Sequence, residues 1–153
     1  MILALLFLSL AGQAQAEETS LADFCEASLK ALPGKVKLEE LKTACAQAKQ
    51  IESCVSEEGV RIFHYDRSAK AGETESKRIL VFSLVHGDEY PSGSVARAWM
   101  ERLTFIEPRN HWRGVPILNP DGLKRKTRTN AKGGDINRNF PSKDWDEKAL
   151  QYW

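Results

Sequence analysis

Ile79-Leu80-Val81-Phe82-Ser83-Leu84-Val85 is a nearly continuous apolar run that stops abruptly at His86-Gly87-Asp88-Glu89. A strand apolar at successive positions is buried on both faces, the pattern of an α/β sheet with helices on either side. Open sheets of this kind place ligand sites at the carboxyl ends of their strands, and His86 to Glu89 occupy that end. Downstream, Ser92 or Ser94 can cap a helix whose apolar face is Val95, Ala96, Trp99, Met100 and Leu103. Val115 to Leu118 then reads as a short strand, with Pro116 tolerable only near an end or edge, and Asn119-Pro120-Asp121-Gly122 as a turn. Upstream, Val60 to Tyr65 alternates like a strand, and Ser68 to Lys77 is a polar connection. Leu123 to Pro141 shows no periodicity.

Residues 17 to 55 predict an accessory helical hairpin ahead of a main unit spanning residues 56 to 153. Ser20 with Asp23 resembles a capping box; Leu21, Phe24, Cys25, Leu29 and Leu32 follow helical spacing until Pro33-Gly34. Leu38, Leu41, Cys45 and Ala48 form a second helical face. Cys25 and Cys45 sit at similar distances from the turn, so a bridge between them is sterically reasonable; two small buried thiols are the alternative. Cys54 is the odd third. Ahead of the hairpin, the uncharged apolar stretch of residues 1 to 12, Ala14-Gln15-Ala16 and then Glu17-Glu18 predict an export signal cleaved after Ala16. That run is shorter than the about 20 residues a membrane span needs, so no permanent anchor is expected, and localisation is read as periplasmic or secreted.

The net charge is +1 over 153 residues, which argues against bulk nucleic-acid binding. The sum hides an asymmetry. Residues 17 to 60 carry five basic and nine acidic groups, residues 107 to 153 ten basic and six acidic. A monomer is expected.

His86 and Glu89 form an HxxE pair. An imidazole and a carboxylate three residues apart in a loop can turn toward one divalent ion, and Gly87 frees the backbone to do so. Zinc accepts such an N/O mixture, usually with three protein ligands and one open position in catalytic sites. Alone the pair is weak, and capping or salt bridging is the better reading of it. A second element decides. Asn119-Pro120-Asp121-Gly122 is followed by Arg128-Thr129-Asn130-Ala131-Lys132-Gly133-Gly134-Asp135-Ile136-Asn137-Arg138-Asn139-Phe140-Pro141. With HGDE, these residues resemble the zinc carboxypeptidases of the M14 family, most like the bacterial murein peptide amidase branch, from about Val60 to Trp153 and including Asp144-Trp145 and Tyr152-Trp153.

The resemblance implies a mixed-sheet zinc carboxypeptidase-like α/β fold with helices on both faces, one Zn2+ per complete site, and a peptide or murein-peptide substrate cut between D-glutamate and meso-diaminopimelate. By the same resemblance His86 and Glu89 are metal ligands, Asp135 orients the ligand histidine, Arg128 is the catalytic arginine that polarises the scissile carbonyl, and Asn137 and Arg138 join Arg128 in holding the substrate's terminal carboxylate. The chemistry agrees: a guanidinium presents a planar fork to a carboxylate and a fixed charge to a developing oxyanion. Lys124 to Lys126 read instead as a solvated or phosphate-binding loop, and His64 and His111 as structural.

The family takes its third zinc ligand, a His, and its general base, a Glu, from beyond this motif, and the chain has twelve residues after Pro141. It therefore reads as the N-terminal half of such an enzyme, with sheet strands still to be supplied and an edge exposed. The other class of reading is a truncated, non-catalytic remnant that binds anionic peptide ends. A related deacylase branch ranks behind the murein amidases because its motifs differ around Arg128, and no GxSxG, P-loop or paired Cys and His supports another chemistry.

Overall fold

Strand β3 (Arg78–Phe82) and strand β4 (His111–Val115) run parallel, Arg78 opposite His111 and Phe82 opposite Val115. Helix α3 (Tyr90–Thr104) makes the crossover between them. The computed structural model describes residues 19–138 and Phe140. Antiparallel to β4 lies β2 (His64–Arg67), and antiparallel to β2 lies the short β1 (Ala48–Lys49), so the mixed sheet has the order β1-β2-β4-β3. The outer side of β3 pairs with no strand among the described residues. The expected export segment, with its cleavage point after Ala16, and the Asp144-Trp145 and Tyr152-Trp153 pairs lie outside the described residues.

The structure redraws several boundaries. The run expected to be a strand over residues 79 to 85 stops at Phe82, because Leu84 turns into the left-handed region with φ of 46°. Cross-strand contact nevertheless continues. Ser83 N–H donates to Val115 O, Leu118 N–H to Ser83 O and Asn119 N–H to Leu84 O, at 2.9 to 3.0 Å. The two chains thus leave the sheet together and arrive side by side at His86 and Asn119. β4 starts at His111, ahead of the expected Val115 to Leu118, and leaves Pro116, which has no N–H to offer a ladder, just past its end. β2 likewise lies at His64–Arg67, a shift from Val60 to Tyr65, and Arg61 makes only an isolated bridge with Val55.

α3 begins at Tyr90 with Pro91 in its first turn, so Ser92 and Ser94 lie inside the helix and do not cap it. Ser92 Oγ instead donates to Glu89 O (2.9 Å) and accepts from Leu84 N–H (3.0 Å), tying the helix start to the strand end. The buried face consists of Gly93, Ala96, Arg97, Met100 and Glu101, whereas Val95 and Trp99 are nearly half exposed. Trp99 packs edge-on against Trp112 of β4, ring centres 6.1 Å apart.

Helices α1 (Leu21–Lys30) and α2 (Leu38–Cys45) form the expected hairpin, capped by Ser20, which accepts from Asp23 N–H, and turned at Gly34 with φ of 93°. Ala48 leaves the second helix for β1. Cys25 and Cys45 are joined by a disulfide with Cα atoms 5.6 Å apart, which settles the alternative of two thiols, and Cys54 is free. Hairpin and sheet share one core, in which Cys25, Leu29, Leu41 and Cys45 pack with Phe63, Tyr65, Leu84, Met100 and Ile117. Buried Arg97 of α3 donates to the carbonyls of Leu29, Leu32 and Pro33 at 2.9 Å and of Lys35 at 3.3 Å. Leu29 O also accepts from Leu32 N–H (3.2 Å), and the guanidinium adds donors for the carbonyls at the end of α1 and in the turn after it, fastening the hairpin to α3.

α3 covers the sheet face that carries Tyr65, Val81 and Trp112. On the opposite face Leu80 is 56% exposed, and Phe82 meets the ring of Phe140 at 6.2 Å. Coverage of β3 on both faces is therefore met on one face only among the described residues.

Candidate active site

The HGDE segment fills the gap between the end of β3 and the start of α3, and Glu89 is the residue immediately preceding the helix. His86 is buried. Its Nδ1 lies 2.9 Å from Glu89 Oε1 and its Nε2 lies 3.0 Å from Asp135 Oδ1. A neutral imidazole carries one N–H, and an ionised carboxylate only accepts. With Asp135 taking the Nε2 proton of a neutral ring, the Nδ1 lone pair faces a carboxylate oxygen, and either a second ring proton or a metal cation bridges two acceptors at this distance. The donor set therefore fits a divalent ion held by His86 Nδ1 and Glu89. Among the described residues no third His, Cys, Asp or Glu joins these two to make a complete cage.

Asp135 is buried and works on three groups. Besides His86 it accepts from Arg128 Nε at Oδ2 (2.9 Å) and from Asn137 N–H at Oδ1 (2.9 Å). Burial opposes its charge, but the His86, Arg128 and Asn137 hydrogen bonds together outweigh burial and hold the carboxyl below its ordinary range. The loop that delivers it folds on itself: Asn130 Oδ1 accepts from Lys132 N–H and Gly134 N–H at 3.0 and 2.8 Å, and Gly133 adopts φ of 81°. This turn is why the stretch between Arg128 and Asp135 carries Asn and Gly rather than a periodic pattern.

Arg128, fixed through Nε, places Nη1 3.7 Å from Glu89 Oε1. Its backbone is held by Asn119, a buried residue whose Nδ2 donates to Val85 O (3.3 Å) and Arg128 O (3.4 Å), while its Oδ1 caps helix α4 (Pro120–Arg125) at Gly122 N–H. The expected turn at Asn119 to Gly122 is thus a helix start. Gly87 sits against that start so closely that a Cβ would fall 1.9 Å from the carbonyl carbon of Gly122. Asn119 and the Gly87 contact escaped the sequence reading; the side-chain cap followed by Pro was the signal available for the first. Asn137 and Arg138 lie in the short 3-10 turn Ile136–Arg138, and Arg138 Nη1 donates to Asn137 O. The structure thus brings His86, Glu89, Arg128 and Asp135 into direct contact, with Asn137 attached through its backbone and Arg138 in the same turn.

His64 and His111 lie in β2 and β4. His111 Nδ1 accepts from Ala69 N–H, and His64 Nε2 is 3.6 Å from Asp66 Oδ2.

Residues 75–152 match the catalytic-domain family of succinylglutamate desuccinylase and aspartoacylase. The chain belongs to this family. The sequence is 37% identical over 99 residues to murein peptide amidase A of Escherichia coli K12, across 58% of this chain and 39% of that protein. The chain thus spans about two fifths of the length of the curated relative it matches. By fold, this family member is similar to carboxypeptidase A of Helicoverpa armigera (TM-score 0.56, 19% identity, 83% of this chain and 41% of the other). A metallo-carboxypeptidase of Pseudomonas aeruginosa gives a TM-score of 0.54 at 21% identity, across 69% and 31% of the two chains. The M14-type resemblance read from the motifs is borne out, and with it the α/β fold and membership in a family of hydrolases. The family takes its name from the deacylase branch that the residues around Arg128 had ranked second, while the 37% relative stands on the amidase side.

Proposed function

We propose that the protein carrying this chain is a zinc-dependent hydrolase that cleaves an amide bond at the C-terminal end of peptides, with murein peptides as the substrate class. The observation that carries this reading is His86, clamped by Asp135 on one nitrogen and facing Glu89 with the other. His86 and Glu89 would hold the ion, which supplies Lewis-acid activation of a water and a carbonyl. Asp135 keeps the proton of His86 on Nε2 and so leaves Nδ1 free to ligate. Arg128 presents its guanidinium to the carbonyl oxygen as negative charge grows there, and because Asp135 already fixes it, little reorganisation accompanies the reaction. Asn137 and Arg138 receive the substrate's terminal carboxylate. A third ligand and a proton acceptor come from outside the described residues in this reading.

The protein works after export, in the periplasm or outside the cell. Its support is the disulfide between Cys25 and Cys45, a bond that persists in oxidising compartments. Release of diaminopimelate from a murein tripeptide, with and without a chelator, tests the activity. Cleavage of an N-acyl amino acid in place of the tripeptide would favour the deacylase side of the family, and binding of peptide ends without turnover would favour the non-catalytic reading.

A further inference from the structure

Ser56-Glu57-Glu58-Gly59 forms a tight turn, closed by Gly59 N–H donating to Ser56 O and Ser56 N–H to Val60 O, with Gly59 at φ of 76°. It touches no catalytic group. Every side chain it offers, however, reaches the segment that carries Arg128. Ser56 Oγ donates to Oδ1 of the buried Asp121 (2.6 Å), and Glu58 N–H donates to its Oδ2 (3.3 Å). Glu58 pairs with Arg125 and, at 3.4 Å, with Lys124. Glu57 pairs with Lys132 at 2.7 Å.

We infer that this turn is the positioning element for Arg128. It grips the chain before Arg128, on α4, and again after it, at Lys132, so that residues 126 to 131 span between two anchored feet. Inside the span Lys126 is left-handed with φ of 58°, Thr127 N–H donates to Gly122 O and Asn130 N–H to Gly134 O at 2.9 Å, and Arg128 O accepts the long bond from Asn119. A guanidinium that must meet both Asp135 and a carbonyl gains from a fixed backbone, since small misplacements are costly to rate. Two carboxylates of the turn, Glu57 and Glu58, thus pair with the three cations Lys124, Arg125 and Lys132. Exposed ion pairs are individually weak and screened by salt; the hold comes from having two feet and from the buried Asp121 at one of them. This inference rests on the role proposed for Arg128.

Side-chain NMR of the full-length protein labelled at arginine Nε tests it. The Arg128 Nε–H, bonded to Asp135, is expected to exchange slowly; in the Glu57→Gln/Glu58→Gln variant it should exchange on the order of tenfold faster, and kcat should fall with little change in KM. Amides of Leu29 and Leu41 in the core serve as the control and should keep their protection. The charge swap Glu58→Arg with Arg125→Glu should restore slow Arg128 exchange. Unchanged Arg128 exchange in the double variant overturns the inference whatever the activity. Faster exchange with full turnover would sustain the positioning and instead remove Arg128 from the proposed mechanism.

Discussion

His86 and Asp135 meet at 3.0 Å between Nε2 and Oδ1, across 49 residues of sequence. This contact joins the strand-end motif to the loop motif, and it sets which nitrogen of His86 faces Glu89. Asp135→Ala should therefore weaken zinc binding about 10- to 100-fold and also release Arg128 from its Nε bond. Chelator competition measures the first effect. Unaltered affinity would mean that Asp135 supports Arg128 alone.

Gly87 is the residue of the HGDE motif that packing constrains most. A Cβ there would overlap the Gly122 carbonyl carbon at 1.9 Å and Leu123 N at 2.2 Å, both backbone atoms that cannot swing aside. Gly87→Ala should cost about 3 kcal/mol in urea unfolding and displace His86 from Asn119's neighbourhood. A stability within experimental error of the unsubstituted protein would refute the close packing of these two segments.

The disulfide closes a loop of 20 residues between α1 and α2. Replacing both cysteines by serine should lower stability by about 3 kcal/mol, whereas Cys54→Ser should leave it nearly unchanged. Because Arg97 is solvated by the carbonyls at the end of α1, the loss should also appear as faster amide exchange in α3. Equal stability of the oxidised and reduced protein would show that the hairpin stands by packing alone.

On the outer sheet face, burial lowers the His64 pKa, with Arg113 and Lys49 adding to the effect and Asp66 opposing it. A histidine depressed in the folded state binds its proton more tightly when unfolded, so its contribution is fully present above about 6.5 and is lost as pH falls below that value. Asp66 follows lower down. Its hydrogen bond to Arg113 above all holds its carboxyl below the ordinary range, so stability falls again as acid reaches that group. Denaturation between pH 8 and pH 4, compared with His64→Gln, should show the first step vanish in the variant; an identical profile would assign the acid loss elsewhere.

Elements whose signals are local were legible in the sequence. Ser20, Asp23 and Pro33-Gly34 bound α1, and the abrupt end of the apolar run at His86 marks the site. The His86 and Glu89 pair stands out at the strand end, but its reading as a ligand pair, like the roles of Arg128 and Asp135, rests on a resemblance. What periodicity could not carry were contacts between distant segments. Asn119 reads as a turn residue until Val85 O and Arg128 O are seen beside it, and Glu57 and Glu58 are surface acids until Lys132 and Arg125 arrive. The face of α3 was misjudged for a related reason: Arg97 and Glu101 look like solvent residues, yet the end of α1 supplies the carbonyls that let Arg97 be buried. Strand ends moved because φ at Leu84 and the missing N–H of Pro116 override an apolar run.

The proposed function stands on His86 and Glu89 binding a metal ion together. Zinc bound per chain by the dialysed full-length protein, compared with His86→Ala, tests it most directly. Near-stoichiometric zinc is expected in the unsubstituted protein and almost none in the variant, with folding retained; equal zinc in both would rule out His86 as a ligand.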